Sequence, residues 1–129
     1  MYLYLTSDNT IFQDNRPDNF AVSFNIPITL QGQWEVGLVD ITGHPSYSGV
    51  YYVCSDLCET NFVNSDSLPV LRRLFTTQSA FHREYSPVLY VPVCKSVIEG
   101  IRIYIKDRDL TEHSDFQTVL HCTLHLRPR

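Results

Sequence analysis

Four cysteines and five histidines are the residues of this 129-residue chain best suited to chemistry. Cys54 and Cys58 form a C-x3-C pair, which Cys94 or Cys122 would have to complete as a zinc site. The spacing argues against that. Cys94 and Cys122 are not a close pair, and both lie in stretches that read as strand, where a thiol serves as a small apolar filler. Free buried thiols and no metal ligands are therefore the expectation. Disulfides are disfavoured because Met-Tyr-Leu-Tyr-Leu-Thr has no basic flank, and its apolar run stops at Ser7 and Asp8 before a secretory core forms. The chain is expected to start here in mature form and to remain intracellular. His121 and His125 share a strand face but lie roughly 13 Å apart at about 3.3 Å per residue, too far to chelate one ion. Both read as surface residues.

Catalytic patterning is missing in the same way. There is no glycine-rich phosphate loop, no G-x-S-x-G, no H-E-x-x-H and no finger-type zinc spacing. A Cys-His pair assembled in space from Cys54, Cys58 or Cys122 is a chance expectation at this composition. The chain reads as a non-enzyme without a cofactor.

Charge and aromatic content point toward surfaces instead. The net charge of −4 is unevenly spread: residues 1–71 hold one base against eight acids, and residues 72–129 hold nine bases against six acids. Opposite halves would suit copies packing head to tail, although in a β-sandwich the halves interleave and mix on one surface. Arg72, Arg73, Arg83, Arg102, Lys106, Arg108, Arg127 and Arg129 lie near Phe75, Phe81, Tyr85, Tyr90 and Tyr104, a pattern a small β-barrel uses to grip single-stranded nucleic acid. Interspersed Glu84, Asp107, Asp109 and Asp115 and the negative total oppose that reading. Eight tyrosines and seven phenylalanines exceed the needs of one core. Outward Tyr104, with Tyr47, Tyr51 or Tyr52, would anchor a protein interface.

The elements that must position these groups are strands. Phe20 to Ile26 alternates large apolar with small or polar residues, and Ile101 to Lys106 sends three isoleucines one way and Arg102, Tyr104 and Lys106 the other. Residues 116–126 alternate likewise. Gln33 to Ile41 places Trp34, Val36 and Leu38 on one face, with Val39 and Ile41 covering the other, as in a central strand. Tyr2–Thr6, Val50–Ser55, Val70–Phe75 and Val88–Val93 complete about eight strands. Turn chemistry separates them at residues 14–19, 31–32, 42–45, 64–67, 99–100 and 107–109. Pro92 restricts its strand to an edge or bulge. Only Leu68–Ala80 and Leu110–Asp115 admit a helical turn. No apolar run approaches the roughly 20 residues of a membrane span. The expectation is one all-β domain over residues 1–129, an antiparallel sandwich of the single jelly-roll kind.

Three groups of segments carry a resemblance. Met1-Tyr2-Leu3-Tyr4-Leu5-Thr6-Ser7-Asp8, Asn19-Phe20-Ala21-Val22 and Gly32-Gln33-Trp34-Glu35-Val36-Gly37-Leu38-Val39-Asp40-Ile41 form the first. Tyr51 to Cys58, followed by Leu68-Pro69-Val70-Leu71-Arg72-Arg73, forms the second. Tyr90-Val91-Pro92-Val93, Ile101 to Asp107 and Val119 to Arg127 form the third. Together they resemble capsid-type proteins encoded by Polinton (Maverick) elements and adintovirus-like viruses. The resemblance implies a penton-type minor capsid subunit: a single jelly roll forming a pentamer with itself at capsid vertices, next to a major capsid protein, in a virion or a domesticated descendant. In such an assembly Tyr47, Tyr51, Arg72, Arg73, Arg102 and Tyr104 are the candidate subunit contacts. The competing expectations are a monomeric β-sandwich module for a protein or carbohydrate ligand, and a small β-barrel that binds nucleic acid.

Overall fold

The computed structural model describes residues 1–8, 15–107 and 116–129. Among them are eleven strands and no helix: β1 (Tyr2–Thr6), β2 (Asn19–Thr29), β3 (Trp34–Gly43), β4 (Gly49–Ser55), β5 (Asn61–Val63), β6 (Asp66–Leu68), β7 (Val70–Thr76), β8 (Phe81–Glu84), β9 (Tyr90–Pro92), β10 (Val97–Asp107) and β11 (His121–Pro128). Among the described residues no helix is long and apolar enough to cross a membrane. Leu68–Ala80, which admitted a helical turn, is mostly strand: β7 covers the strand expected over Val70–Phe75 and draws Leu71 and Leu74 into the core. Leu110–Asp115, together with Asp14, Arg108 and Asp109, lies outside the described residues.

All pairing is antiparallel. One sheet has the order β1-β11-β3-β8, with β9 also on β3; a second has the order β2-β10-β4-β7; β5 and β6 form a hairpin. Two kinds of ladder build this. In the first, the chain pairs with itself as one long hairpin: Tyr2↔His125, Phe20↔Ile103, Val36↔Val91 and Val50↔Phe75. The midpoint of each pair falls between residues 61 and 64, at the β5–β6 hairpin. The second kind, β10 on β4 and β11 on β3, joins strands from opposite arms. A hairpin that folds over on itself supplies both kinds.

Alternation decides which side chains lie between the sheets. Leu3 and Leu5 of β1, Val36 and Leu38 of β3, and Leu124 and Leu126 of β11 come from one sheet; Phe20, Val53, Ile101, Ile103 and Ile105 come from the other. Removing a Leu or Ile of this set to Ala costs about 2–5 kcal/mol. Ile41, which the plain alternation sends outward, is fully buried. A register shift at Thr123/Leu124 inserts an extra residue of β3 between Leu38 and Asp40, so Ile41 returns to the core face.

The count of eleven against about eight has a local origin. β5 and β6 are three residues each, mostly exposed, with no buried face to imprint a period. Asn64, at φ 53°, opens their two-residue turn, a conformation asparagine tolerates. In β8 only Phe81 is buried, so His82, Arg83 and Glu84 hide its strand character. Pro92 does sit in a short edge strand, paired opposite Glu35.

The β2 edge is blocked at its first residues. Arg16 and Asn19 exchange both backbone hydrogen bonds, at 2.9 and 3.1 Å. Two residues on, the Asn15 side chain both donates to the Ala21 carbonyl and accepts from the Ala21 N–H, each at 3.0 Å. A side-chain amide thus occupies the place of a further strand.

Candidate interaction faces

Each sheet turns one face to the core and one outward, and the outward faces hold the residues with chemistry. On the four-strand sheet, Arg102, Tyr104 and Lys106 project from alternate positions of β10, as the isoleucine pattern requires. Lys106 pairs across to Tyr52, and Tyr52 to Arg73, so a row of two cations around a tyrosine crosses three strands. Beside it, Val50 faces Phe75, which is 67% exposed. At the far end Asp56 binds Lys95 at 3.0 Å and accepts the Arg102 backbone N–H at 3.0 Å, while the Arg102 guanidinium donates to Asn19 Oδ1 at 2.7 Å. An open groove of about 540 Å³ lies there, lined by Ser23, Lys95, Glu99 and Arg102. It forms where β2 bulges, with residues 24–27 set against Glu99 alone between the pairs Ile98↔Ile28 and Gly100↔Ser23. Gly100 permits the bulge, since a Cβ there would stand 2.8 Å from the Val22 carbonyl oxygen.

The outer face of the five-strand sheet is different in kind. Its cross-strand rows place Thr42 between His121 and His82, and Asp40 between Thr123 and Glu84. Thr42 Oγ1 and His82 Nδ1 are 2.6 Å apart, and His82 Nε2 lies 3.2 Å from Glu84 Oε1. Hydroxyl, imidazole and carboxylate are connected as in a nucleophile relay. Glu84 is 78% exposed, however, and the chain stands on an open face where water competes for each bond, so it acts as a polar cross-strand ladder. Sequence reasoning missed it, and only the β3–β8 register, which no motif encodes, could have found it.

A second cluster occupies the same face nearer β9. The His125 ring stacks on Tyr2 at 4.4 Å and meets Tyr90 edge-on, with Tyr90 Oη and His125 Nδ1 2.7 Å apart. Arg127 lies over the Tyr90 ring at 3.5 Å and its Nε binds Glu35 at 3.1 Å. Gly37, opposite both His125 and Tyr90, makes room: a Cβ would come within 2.4 Å of Val88 Cγ1 and 2.7 Å of the Leu89 oxygen. His125 is thus not the free surface residue its position suggests. Burial holds its imidazole below the usual pKa, helped by the Met1 ammonium and Arg127. Tyr4, beside Tyr2, is 79% exposed.

The six candidate contacts separate. Arg73, Arg102 and Tyr104 share the outer face of the four-strand sheet. Arg72, adjacent to Arg73, must point the other way; its guanidinium lies 4.1 Å over Tyr85 and reaches the Pro87 carbonyl at 3.4 Å, closing the side of the sandwich between β7 and the β8–β9 connection. Tyr47 is 65% exposed in the loop after β3. Tyr51 is only 3% exposed, because it shares the inner parity of Val53, packs edge-on against Phe116 and donates its hydroxyl to the Tyr47 carbonyl at 2.8 Å. It is a core residue and leaves the contact set.

All four thiols are free. Cys54, Cys58 and Cys122 are buried, but Cys94 is exposed, since it follows β9 in a loop and points its sulfur at the Asp56 carbonyl, 3.5 Å away. Burial pushes Cys54 and Cys122 up to about 12 and raises Cys58 further. Among the described residues no three His, Cys, Asp or Glu side chains are grouped to hold a metal ion. Comparison with protein-family models gives no match, and comparison with curated proteins gives none.

Proposed function

We propose that the chain is a structural, capsid-type subunit: a single jelly roll that closes with copies of itself into a ring, a pentamer at the vertices of a virion, beside a major capsid protein. The observation that supports the reading is the winding of the chain. A jelly roll is a long antiparallel hairpin wrapped so that its arms interleave into two four-strand sheets as paired Greek keys. The orders β1-β11-β3-β8 and β2-β10-β4-β7 support that reading. In this reading β5 and β6 elaborate the β4–β7 connection, and β8 and β9 together fill one strand position beside β3, which leaves eight positions. The resemblance to Polinton and adintovirus-like capsid proteins runs through the same strands.

Function then resides in surfaces, and the proposal assigns no catalysis. Arg73, Arg102 and Tyr104 offer a basic, aromatic face; Tyr47 adds a loop anchor; Arg72 acts by stiffening the flank. Native mass spectrometry of the full chain at micromolar concentration tests this. A closed oligomer of one size is expected, and a monomer at every concentration overturns the ring. A monomer that also gives saturable hits on a glycan array replaces the proposal with a carbohydrate-binding module.

A further inference from the structure

The two large sheets have four edges, and three of them carry features that keep an edge from pairing further. On β2 the Asn15 amide takes both backbone groups of Ala21, and Pro27 lies farther along the strand. β7 carries Arg72 and Arg73; β8 carries His82, Arg83 and Glu84, and β9 beside it carries Pro92. The fourth edge is β1, and it has none of these. Tyr2-Leu3-Tyr4-Leu5-Thr6 contains no charge, proline, glycine or register shift, and it is the last strand of its sheet.

Hydrogen bonding shows which backbone groups β1 leaves over. Met1 and Leu126 exchange both bonds, at 2.9 and 2.8 Å, and the Ser7 N–H donates to the Leu120 carbonyl at 2.9 Å. Antiparallel pairing alternates along a strand, so Met1, Leu3, Leu5 and Ser7 turn their N–H and C=O groups toward β11, while Tyr2, Tyr4 and Thr6 turn theirs away. Among the described residues no backbone group bonds to those three. Side chains alternate with them: Leu3 and Leu5 are buried, whereas Tyr2 is 55% and Tyr4 79% exposed.

We propose that β1 is a docking edge for a second copy of this chain, which adds its own β1 antiparallel about a two-fold axis at Tyr4 and joins two five-strand sheets into one. The strand is its own complement. With Tyr4 opposite Tyr4 of the other copy, Tyr2 falls opposite Thr6 and Thr6 opposite Tyr2. All three are pairs of the hydrogen-bonded class, so every free N–H and C=O of one copy meets its counterpart in the other. A slip of one residue would oppose groups already bonded to β11, and a slip of two would leave one of the three residues unmatched. The register is therefore unique. Leucines of both copies line one side of the joined sheet and tyrosines the other, with Leu3 beside Leu5 of the second copy. A two-fold contact uses the same patch on both copies, the commonest way for identical chains to meet. It goes beyond the ring, whose contacts are heterologous, and it can join two free copies or copies of two rings. Five residues make a small contact, so pairing is reversible.

Native mass spectrometry and light scattering of the full chain, over a dilution series from millimolar to micromolar, test the contact. Pairs of chains or pairs of rings are expected at the upper end. Hydrogen exchange followed by NMR should show the Tyr4 amide protected there and released on dilution, a readout that needs no variant. Tyr4→Lys alone and Tyr4→Glu alone each set like charges against one another at the axis and should weaken pairing by at least ~fivefold; an equimolar mixture of the two sets opposite charges there and should restore it. Circular dichroism confirms folding of each variant. Arg73→Glu, on the other sheet, should leave pairing unchanged, and loss of pairing with that variant overturns the assignment to β1. A dimer that responds to the Tyr4 variants with no larger closed species supports this contact and overturns the ring. A ring indifferent to them, with a Tyr4 amide that exchanges at one rate at every concentration, overturns the contact and leaves the ring. A monomer throughout overturns both.

Discussion

Replacing Gly37 with alanine should loosen one edge of the five-strand sheet and be readable at His125. The added Cβ would stand 2.4 Å from Val88 Cγ1 and 2.7 Å from the Leu89 carbonyl oxygen. The valine methyl can rotate away, but the carbonyl belongs to the backbone leading into β9. It must retreat by about 0.7 Å to reach an ordinary contact near 3.4 Å. Overpacking of this kind costs ~1–3 kcal/mol, which outweighs the gain of up to about 1 kcal/mol from a less flexible unfolded chain. For a chain of this size each kcal/mol lowers the melting temperature by roughly 3–5 °C. Movement of β9 carries Tyr90 away from His125 and breaks the 2.7 Å hydrogen bond. The imidazole then becomes better hydrated, so its depressed pKa rises toward the ordinary histidine value. Urea denaturation measures the first effect and an NMR titration of the His125 ring the second. A stability within about 0.5 kcal/mol of wild type together with an unmoved His125 titration would refute the claim that glycine is required for β9 to seat there.

Tyr85→Phe should stabilise the fold by ~1 kcal/mol in thermal or urea unfolding, because the buried Tyr85 hydroxyl has no hydrogen-bond partner among the described residues and its removal relieves an unpaid desolvation; a loss of similar size would reveal a missed partner. A thiol reagent at pH 8 should label Cys94 alone in the native protein and all four cysteines after denaturation, since the other three are buried and their thiolates are disfavoured; rapid labelling of more than one native thiol contradicts the burial. Folding favours the neutral form of His125, whose folded pKa is depressed. Its contribution is therefore intact above an unfolded value of about 6.5 and is lost as pH falls from there toward the folded value. The urea midpoint should fall on acidification through that window, and His125→Gln should flatten part of the fall.

Strand identity was readable wherever a strand has one wet and one dry face. Ile101, Ile103 and Ile105 point inward and Arg102, Tyr104 and Lys106 outward as their alternation dictates, and β1 has the bounds its residues predict. Legibility fails where burial does not alternate. The β5–β6 hairpin and β8 bury too little to carry a period, and the bulge that returns Ile41 to the core shifts the parity midway along β3. Tyr51 was misjudged for a related reason. It is adjacent to Tyr52 in a strand with aromatics at both parities, and only the pairing with Leu74 shows which ring is dry.

By itself the sequence determined an all-β chain, the inward and outward residues of its regular strands, and a concentration of cations in its second half. Those are properties of neighbours along the chain, set by a two-residue period and by composition. Tertiary structure decided which outward residues share a surface: Arg73 with Lys106 across β4, and Asp40 with Glu84 across the β3–β8 ladder. It also set opposite charges from distant parts of the chain side by side, Arg127 with Glu35 and Lys95 with Asp56. A hairpin folded over on itself brings residues from distant positions into register, and that register is fixed by packing of the two sheets, which no local pattern records.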